Sequence, residues 1–132
     1  MMNDMTWTVV ADEGRARVFQ AQGLTLGLEE IDDFVNIAHS ATTLTEKHAV
    51  ELSRNERKEE EREKFAVQMA EYLEQARLHQ RFGRLRLIAE SKFLGMILSS
   101  LSAQSRELVF EKVSKDYSGL SIKEIQEHLQ QG

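Results

Sequence analysis

The stretch Arg84-Leu85-Arg86-Leu87-Ile88-Ala89-Glu90-Ser91-Lys92-Phe93-Leu94-Gly95 decides the fold. Its first residues alternate charged and apolar side chains and end in the apolar pair Ile88-Ala89, the pattern of a strand running into an interior. Ser91 then reads as a cap for a helix carrying Phe93, Leu94, Ile97, Leu98 and Leu101. Gly95 permits close helix-to-sheet packing, although a glycine inside a helix costs roughly 1 kcal/mol relative to alanine. Leu108 to Val113 follows as another extended run. Strand, helix and strand in succession favour parallel neighbours joined by a right-handed crossover, so the chain reads as α/β.

Upstream, Met5-Thr6-Trp7-Thr8-Val9-Val10-Ala11 is rich in β-branched and aromatic residues and stops at the turn signal Asp12-Glu13-Gly14. Arg15 to Ala21 completes a hairpin, with Ala16 and Val18 on one side and Arg15 and Arg17 on the other, a face at least partly open to water. Gly23 interrupts it, and Leu24 to Ile37 forms a third extended segment with a bend near Asp32 or Asp33. Ser40 to Thr45 is polar and irregular. Ser53-Arg54-Asn55-Glu56 has capping-box spacing ahead of a long helix whose stripe is Phe65, Met69, Tyr72, Leu73 and Ala76. Burial against a sheet accounts for that stripe better than an exposed peptide-binding face, and Trp7 is likewise expected to pack in the sheet. Lys115 to Leu120 is a connection, and Ser121-Ile122-Lys123-Glu124 repeats the capping box before a terminal helix carrying Ile125 and Leu129.

A chain of 132 residues with 41% hydrophobic and 30% charged side chains can bury one core and keep a solvated surface, so a single domain over residues 1–132 is expected. Its 22 acidic against 17 basic residues leave a charge of -5, opposed to non-specific attraction by nucleic acid or anionic membrane. There is no cysteine, which removes disulfides, thiol nucleophiles and thiolate metal sites and is compatible with a reducing cytoplasm. The amino end does not read as a secretory signal, and no apolar run is long enough to span a membrane.

Three patterns, Trp7 to Phe19, Leu85 to Gly95, and Val113-Ser114-Lys115-Asp116-Tyr117, taken in order resemble the bacterial host attachment protein family, which is related to the middle domain of peptide-chain release factors. The resemblance covers nearly the whole chain. It implies a ribonuclease H-like mixed five-stranded sheet with packed helices, the first strand central and the order 3-2-1-4-5. It also implies a binding or adaptor role in attachment to host cells or in a ribosomal setting. The Gly-Gly-Gln tripeptide of the release-factor domains is absent, so peptidyl-tRNA hydrolysis by that means is not implied. The chain departs from the family pattern where Glu13 intervenes between Asp12 and Gly14, and the loop from His39 to Leu52 lacks the family's frequent Arg-Pro-Gly.

Asp12, Glu90 and Asp116 are expected just beyond the carboxyl ends of the first, fourth and fifth strands, where open α/β sheets place ligands. Three carboxylates there could hold Mg²⁺ or Mn²⁺ and serve a divalent-metal-dependent nuclease, the enzyme alternative to the binding module. The weightier reading is structural: turn formation by Asp12, solvation of Glu90, and organisation of the connection by Asp116. Arg15, Arg17, Arg81, Arg84, Arg86 and Lys92 are candidates for an anion or RNA surface, set against ordinary surface ion pairing. His39, His48, His79 and His128 lack zinc-ligand spacing, Ser91 lacks a nucleophile elbow, and no glycine loop points to a nucleotide. The sequence therefore names no cofactor. Its expected partners are a protein, an RNA or ribosomal surface, or a second copy of the chain meeting at an exposed sheet edge.

Overall fold

The computed structural model describes residues 3–25, 27–36 and 51–131, with side chains in the last stretch from residue 58 onward. The elements in chain order are β1 (Met5–Ala11), β2 (Arg15–Gln22), β3 (Glu29–Val35), α1 (Glu51–Leu78), β4 (Arg84–Ile88), α2 (Ser91–Ser100), α3 (Ala103–Glu107), β5 (Val109–Val113) and α4 (Ile122–Gln131). The five strands form one sheet in the order β3-β2-β1-β4-β5. β1 runs antiparallel to β2 and parallel to β4, β2 is antiparallel to β3, and β4 is parallel to β5. The carboxyl ends of β1, β4 and β5 therefore open on the same edge.

Alternation along the strands sends two sets of side chains to opposite faces. Trp7, Val9, Leu85 and Leu87 pack with Phe65, Met69 and Leu73 of α1 and Phe93 and Ile97 of α2. On the other face Val10, Phe19 and Ile88 meet Ile125 of α4. Tyr72 sits at the margin of the first core, its hydroxyl donating to Asp32 Oδ2 at 3.0 Å. Burial, reinforced by that hydrogen bond, pushes the Tyr72 phenol up to about 12.

Several boundaries differ from the sequence reading for local reasons. β3 is confined to Glu29–Val35, and the expected extension to Ile37 lies outside the described residues, as do His39, His48 and the polar segment 40–45. Ser53 falls inside α1, which is already helical at Glu51, so it does not cap it; the side chains of the Ser53–Glu56 box lie outside the described residues. At the other end α1 closes through bonds from Arg81 N to Ala76 O and from Gln80 N to Arg77 O, with Gln80 at φ 56. That is the Schellman closure, carried by glutamine where glycine is usual. Gly83 then passes so close to the amino-terminal segment that an added Cβ would lie 2.1 Å from the Asn3 carbonyl oxygen.

The face bearing Arg15 and Arg17 is less open than the alternation implied. α4 lies over part of it, and Arg17 is only 7% exposed. The capping box of α4 forms as its spacing predicts: Glu124 N donates to Ser121 Oγ at 3.1 Å and Ser121 N to Glu124 Oε1 at 3.0 Å.

Candidate functional site

A cavity of about 560 Å³ opens at the shared carboxyl edge of β1, β4 and β5, lined by Asp12, Glu13, Gly14, Arg15, Arg62, Glu90, Lys92 and Asp116. The three acids singled out in the sequence thus line one space, with two of the six basic candidates. What each acid does there follows from its hydrogen bonds.

Asp12 forms the β1–β2 turn. Its Oδ1 accepts the backbone N–H groups of Gly14 and Arg15, both at 2.7 Å, while its Oδ2 lies 2.7 Å from the Ser118 hydroxyl. Asp116 Oδ1 is 2.6 Å from that same hydroxyl and 3.1 Å from the Ser118 N–H. One hydroxyl carries one proton and can donate to only one of the two carboxylates at a time. Ser118 thereby ties the turn after β1 to the connection after β5.

Glu90, rather than Ser91, is the N-cap of α2. It keeps an extended backbone (φ -63, ψ 155), and its carboxylate accepts from Phe93 N at 2.7 Å and Lys92 N at 3.1 Å. Ser91 is already helical, so its hydroxyl is not in the capping position. Both Glu90 oxygens are spent on backbone donors at the helix start.

The basic candidates do not gather into one patch. Arg15 makes a two-pronged pair with Asp33, at 2.9 and 2.8 Å, which holds the Asp33 carboxyl below the usual range. Lys92 Nζ meets Glu59 at 2.9 Å. Arg17 lies beneath the connection before α4, donating to Glu30 at 3.1 Å and to the carbonyls of Ser118 and Leu120. Arg86, 6% exposed, donates to Glu111 and to Thr8 Oγ1, each at 3.1 Å. Arg84 pairs with Asp4 at 3.2 Å, and the Arg81 guanidinium sits 4.9 Å from the centre of the Trp7 ring. Only Arg15 and Lys92 reach the cavity, where they join Arg62, whose Nε donates to Glu13 Oε2 at 2.7 Å.

Arg62, Glu13 and Ser118 were not read as site residues. Arg62 lies in an unbroken charged run of α1 and reaches the cavity only through tertiary packing. Ser118, 7% exposed, follows Asp116 by two residues, a spacing suited to a local turn that carries no ligand signature. His79 and His128 remain apart from the cavity lining: His79 is 2.8 Å from the Gln75 carbonyl and His128 stacks on Tyr117 at 4.7 Å.

Among the described residues no group of three or more histidine, aspartate or glutamate side chains is placed to hold a metal ion. The nuclease alternative lacks its ligand set there, because the carboxylates face hydroxyl and N–H donors. Titration calorimetry with Mg²⁺ or Mn²⁺ is accordingly expected to give no saturable heat. A saturable isotherm lost in a folded Asp12→Ala, Glu90→Ala, Asp116→Ala triple variant would overturn that expectation.

The family model for proteins required for attachment to host cells matches residues 7–129. The chain belongs to this host-attachment family. No curated protein matches it in sequence. Among solved structures, this host-attachment chain is similar to one titled "Archaeal protein", with a TM-score of 0.51 and 10% identity over 98% of the chain. It spans 41% of that structure's length, and at such identity the likeness speaks for the fold alone. Within the described residues of this family member no helix is long and apolar enough to cross a membrane.

Proposed function

We propose that this host-attachment protein is a non-enzymatic binding module, and that the cavity at the carboxyl edge of β1, β4 and β5 is where a protein partner docks. The observation that carries this is the mixed charge of the lining: Arg15, Arg62 and Lys92 share one cavity with Asp12, Glu13, Glu90 and Asp116. Such a lining suits a polar protein segment offering both charges, since complementary potentials set specificity and register. A uniformly anionic RNA backbone would meet four carboxylates against three cations, so RNA is the weaker reading. Arg15 and Lys92, with side chains 44% and 56% exposed, are the groups most able to exchange an internal pair for a partner's.

The sheet order and the single antiparallel excursion through β2 and β3 support a ribonuclease H-like assignment and, with helices on both faces, a single domain. The release-factor relationship implied by the resemblance extends this reading to a ribosomal surface as the partner. A second copy meeting at the outer edge of β3 or β5 is a further reading.

In cells whose attachment depends on this protein, the Arg15→Ala, Lys92→Ala double variant is expected to lower attachment about tenfold, as when interface anchors are truncated. Circular dichroism of the purified variant checks that it folds. Undiminished attachment by the folded variant would remove the cavity from the docking surface.

A further inference from the structure

β5 is the last strand on its side of the sheet, with β4 on its inner side and no strand beyond it among the described residues. Ala89 N donates to the Val113 carbonyl at 3.1 Å, which turns the backbone groups of Val113 toward β4. Successive residues of a strand direct their N–H and C=O groups to opposite sides, so those of Lys112 point outward. A groove of about 310 Å³ lies beside this edge, lined by Glu111, Lys112, Val113, Tyr117, His128 and Leu129. β5 supplies the first three of these and α4 the last two, with His128 stacked on Tyr117 at 4.7 Å between ring centres. The groove shares no residue with the cavity at the carboxyl edge of β1, β4 and β5.

Charge along this edge is one-sided. Glu111 is answered by Arg86 at 3.1 Å, whereas Lys112 and, just past the strand, Lys115 have no acidic partner among the described residues. Val113 packs on the core beneath α4, and alternation sends Lys112 to the other side of the sheet. Phe110, 42% exposed with the Arg86 guanidinium 4.9 Å from its ring, adds apolar surface to the same strand. We propose that β5 and its groove take an extended segment of a partner protein, one that alternates apolar and acidic side chains, as a sixth strand. In such an addition the main-chain bonds give affinity, and pockets for alternate side chains give specificity. The guest's apolar side chains enter the groove beside Val113, Tyr117 and Leu129, and the acidic ones between them pass Lys112. An edge lysine ordinarily discourages pairing; here it selects a guest of opposite charge. A second β5 paired about the strand's midpoint would set Glu111 against its own copy, and like charges directly opposite are destabilising.

Panning the full chain against a displayed library of short random peptides is expected to enrich sequences in which apolar and acidic residues alternate. Fluorescence anisotropy with a synthetic copy of an enriched peptide then reads the contacts one by one. Lys112→Glu should weaken binding about tenfold by opposing the guest's charge. Lys112→Pro removes an outward N–H, which an edge strand tolerates, and should weaken binding about tenfold beyond Lys112→Thr, which removes the charge alone. Far-UV dichroism checks the fold of each variant. On the peptide, N-methylation of one alternate set of amides should abolish binding and N-methylation of the other should spare it, a result that needs no change in the protein. No enrichment, enriched peptides without alternation, or equal tolerance of the two methylated sets would overturn the proposal. So would a dimer of the free chain in sedimentation that Lys112→Pro dissolves, since the edge would then belong to a second copy. The Arg15→Ala, Lys92→Ala variant alters neither β5 nor its groove and should bind the peptide unchanged, so the two docking readings fail separately.

Discussion

Arg17→Met is expected to lower the free energy of unfolding by about 3 kcal/mol, the scale for removing one member of a largely buried ion pair. The Arg17 guanidinium joins three parts of the chain. It leaves β2, pairs with Glu30 of β3 at 3.1 Å, and donates to the carbonyls of Ser118 and Leu120 in the connection before α4. Methionine fills much of the space but leaves both carbonyls without that donor and the Glu30 carboxylate, 27% exposed, without its cation. Urea unfolding of the single variant gives the magnitude. Adding Glu30→Leu is expected to recover about half the loss, since replacing both members of such a pair costs less than orphaning one. A single-variant loss below about 1 kcal/mol would mean that water replaces the lost donors. Because Ser118 belongs to the clamped segment, Arg17→Met should also loosen the contacts of Asp12 and Asp116 with its hydroxyl.

Glu74 provides the second large effect, and it depends on pH. Burial pushes its carboxyl up, but hydrogen bonds from the Ser102 hydroxyl, Ser105, Arg77 and the Ser102 N–H outweigh burial and hold it at about 2. The Ser102 hydroxyl and N–H reach Glu74 Oε1 at 2.6 and 3.1 Å, while Arg77 meets Oε2 at 3.0 Å, so one side chain of α1 anchors the junction between α2 and α3. A carboxyl depressed on folding adds stability that is fully present above its unfolded value near 4.5 and drains away as pH falls toward 2. The full linkage over that interval is about 3 kcal/mol, and partial exposure reduces it to about 2 kcal/mol. Glu74→Gln should therefore lose about 2 kcal/mol at pH 7 and show a flatter stability profile between pH 5 and pH 2. Parallel profiles for the two proteins would remove Glu74 from the acid response.

The strands with dense β-branched and apolar runs were legible in the sequence. Met5 to Ala11 stands out because Val9 and Val10 precede a strong turn signal, and the strand ends where Asp12 begins. β4 shows the same logic, its alternation stopping at Ile88. α3 was not legible, because Ala103 to Glu107 is too short to establish a helical period and its N-cap Ser102 resembles any loop serine. The cap of α2 was misplaced by one residue: serine is the commoner cap, while Glu90 serves through a longer side chain curling back to Phe93 N.

Site geometry divides along the same line. That Asp12, Glu90 and Asp116 line one cavity could be anticipated from strand order, since the three follow parallel strands. Their partners could not. Ser118 is separated from Asp12 by more than a hundred positions, and Arg62 looks in sequence like any other charge on a solvated helix. Arg17 and Arg86 illustrate the converse, because strand alternation assigns them a face but cannot say that the face is covered.

The carboxylate at the start of α2 has a consequence for selectivity. A helix amino terminus is a natural receptor for phosphate, yet here that receptor already holds Glu90, which is covalently tethered and so present at a very high local concentration. An incoming phosphate or carboxylate must evict this resident competitor before it gains the two backbone donors, and then leaves a displaced negative charge beside its own. A guest bearing an ammonium or guanidinium group has no such contest. The start of α2 is thereby occupied from within, so an anion entering the cavity would meet Arg15, Arg62 and Lys92 rather than the helix amides.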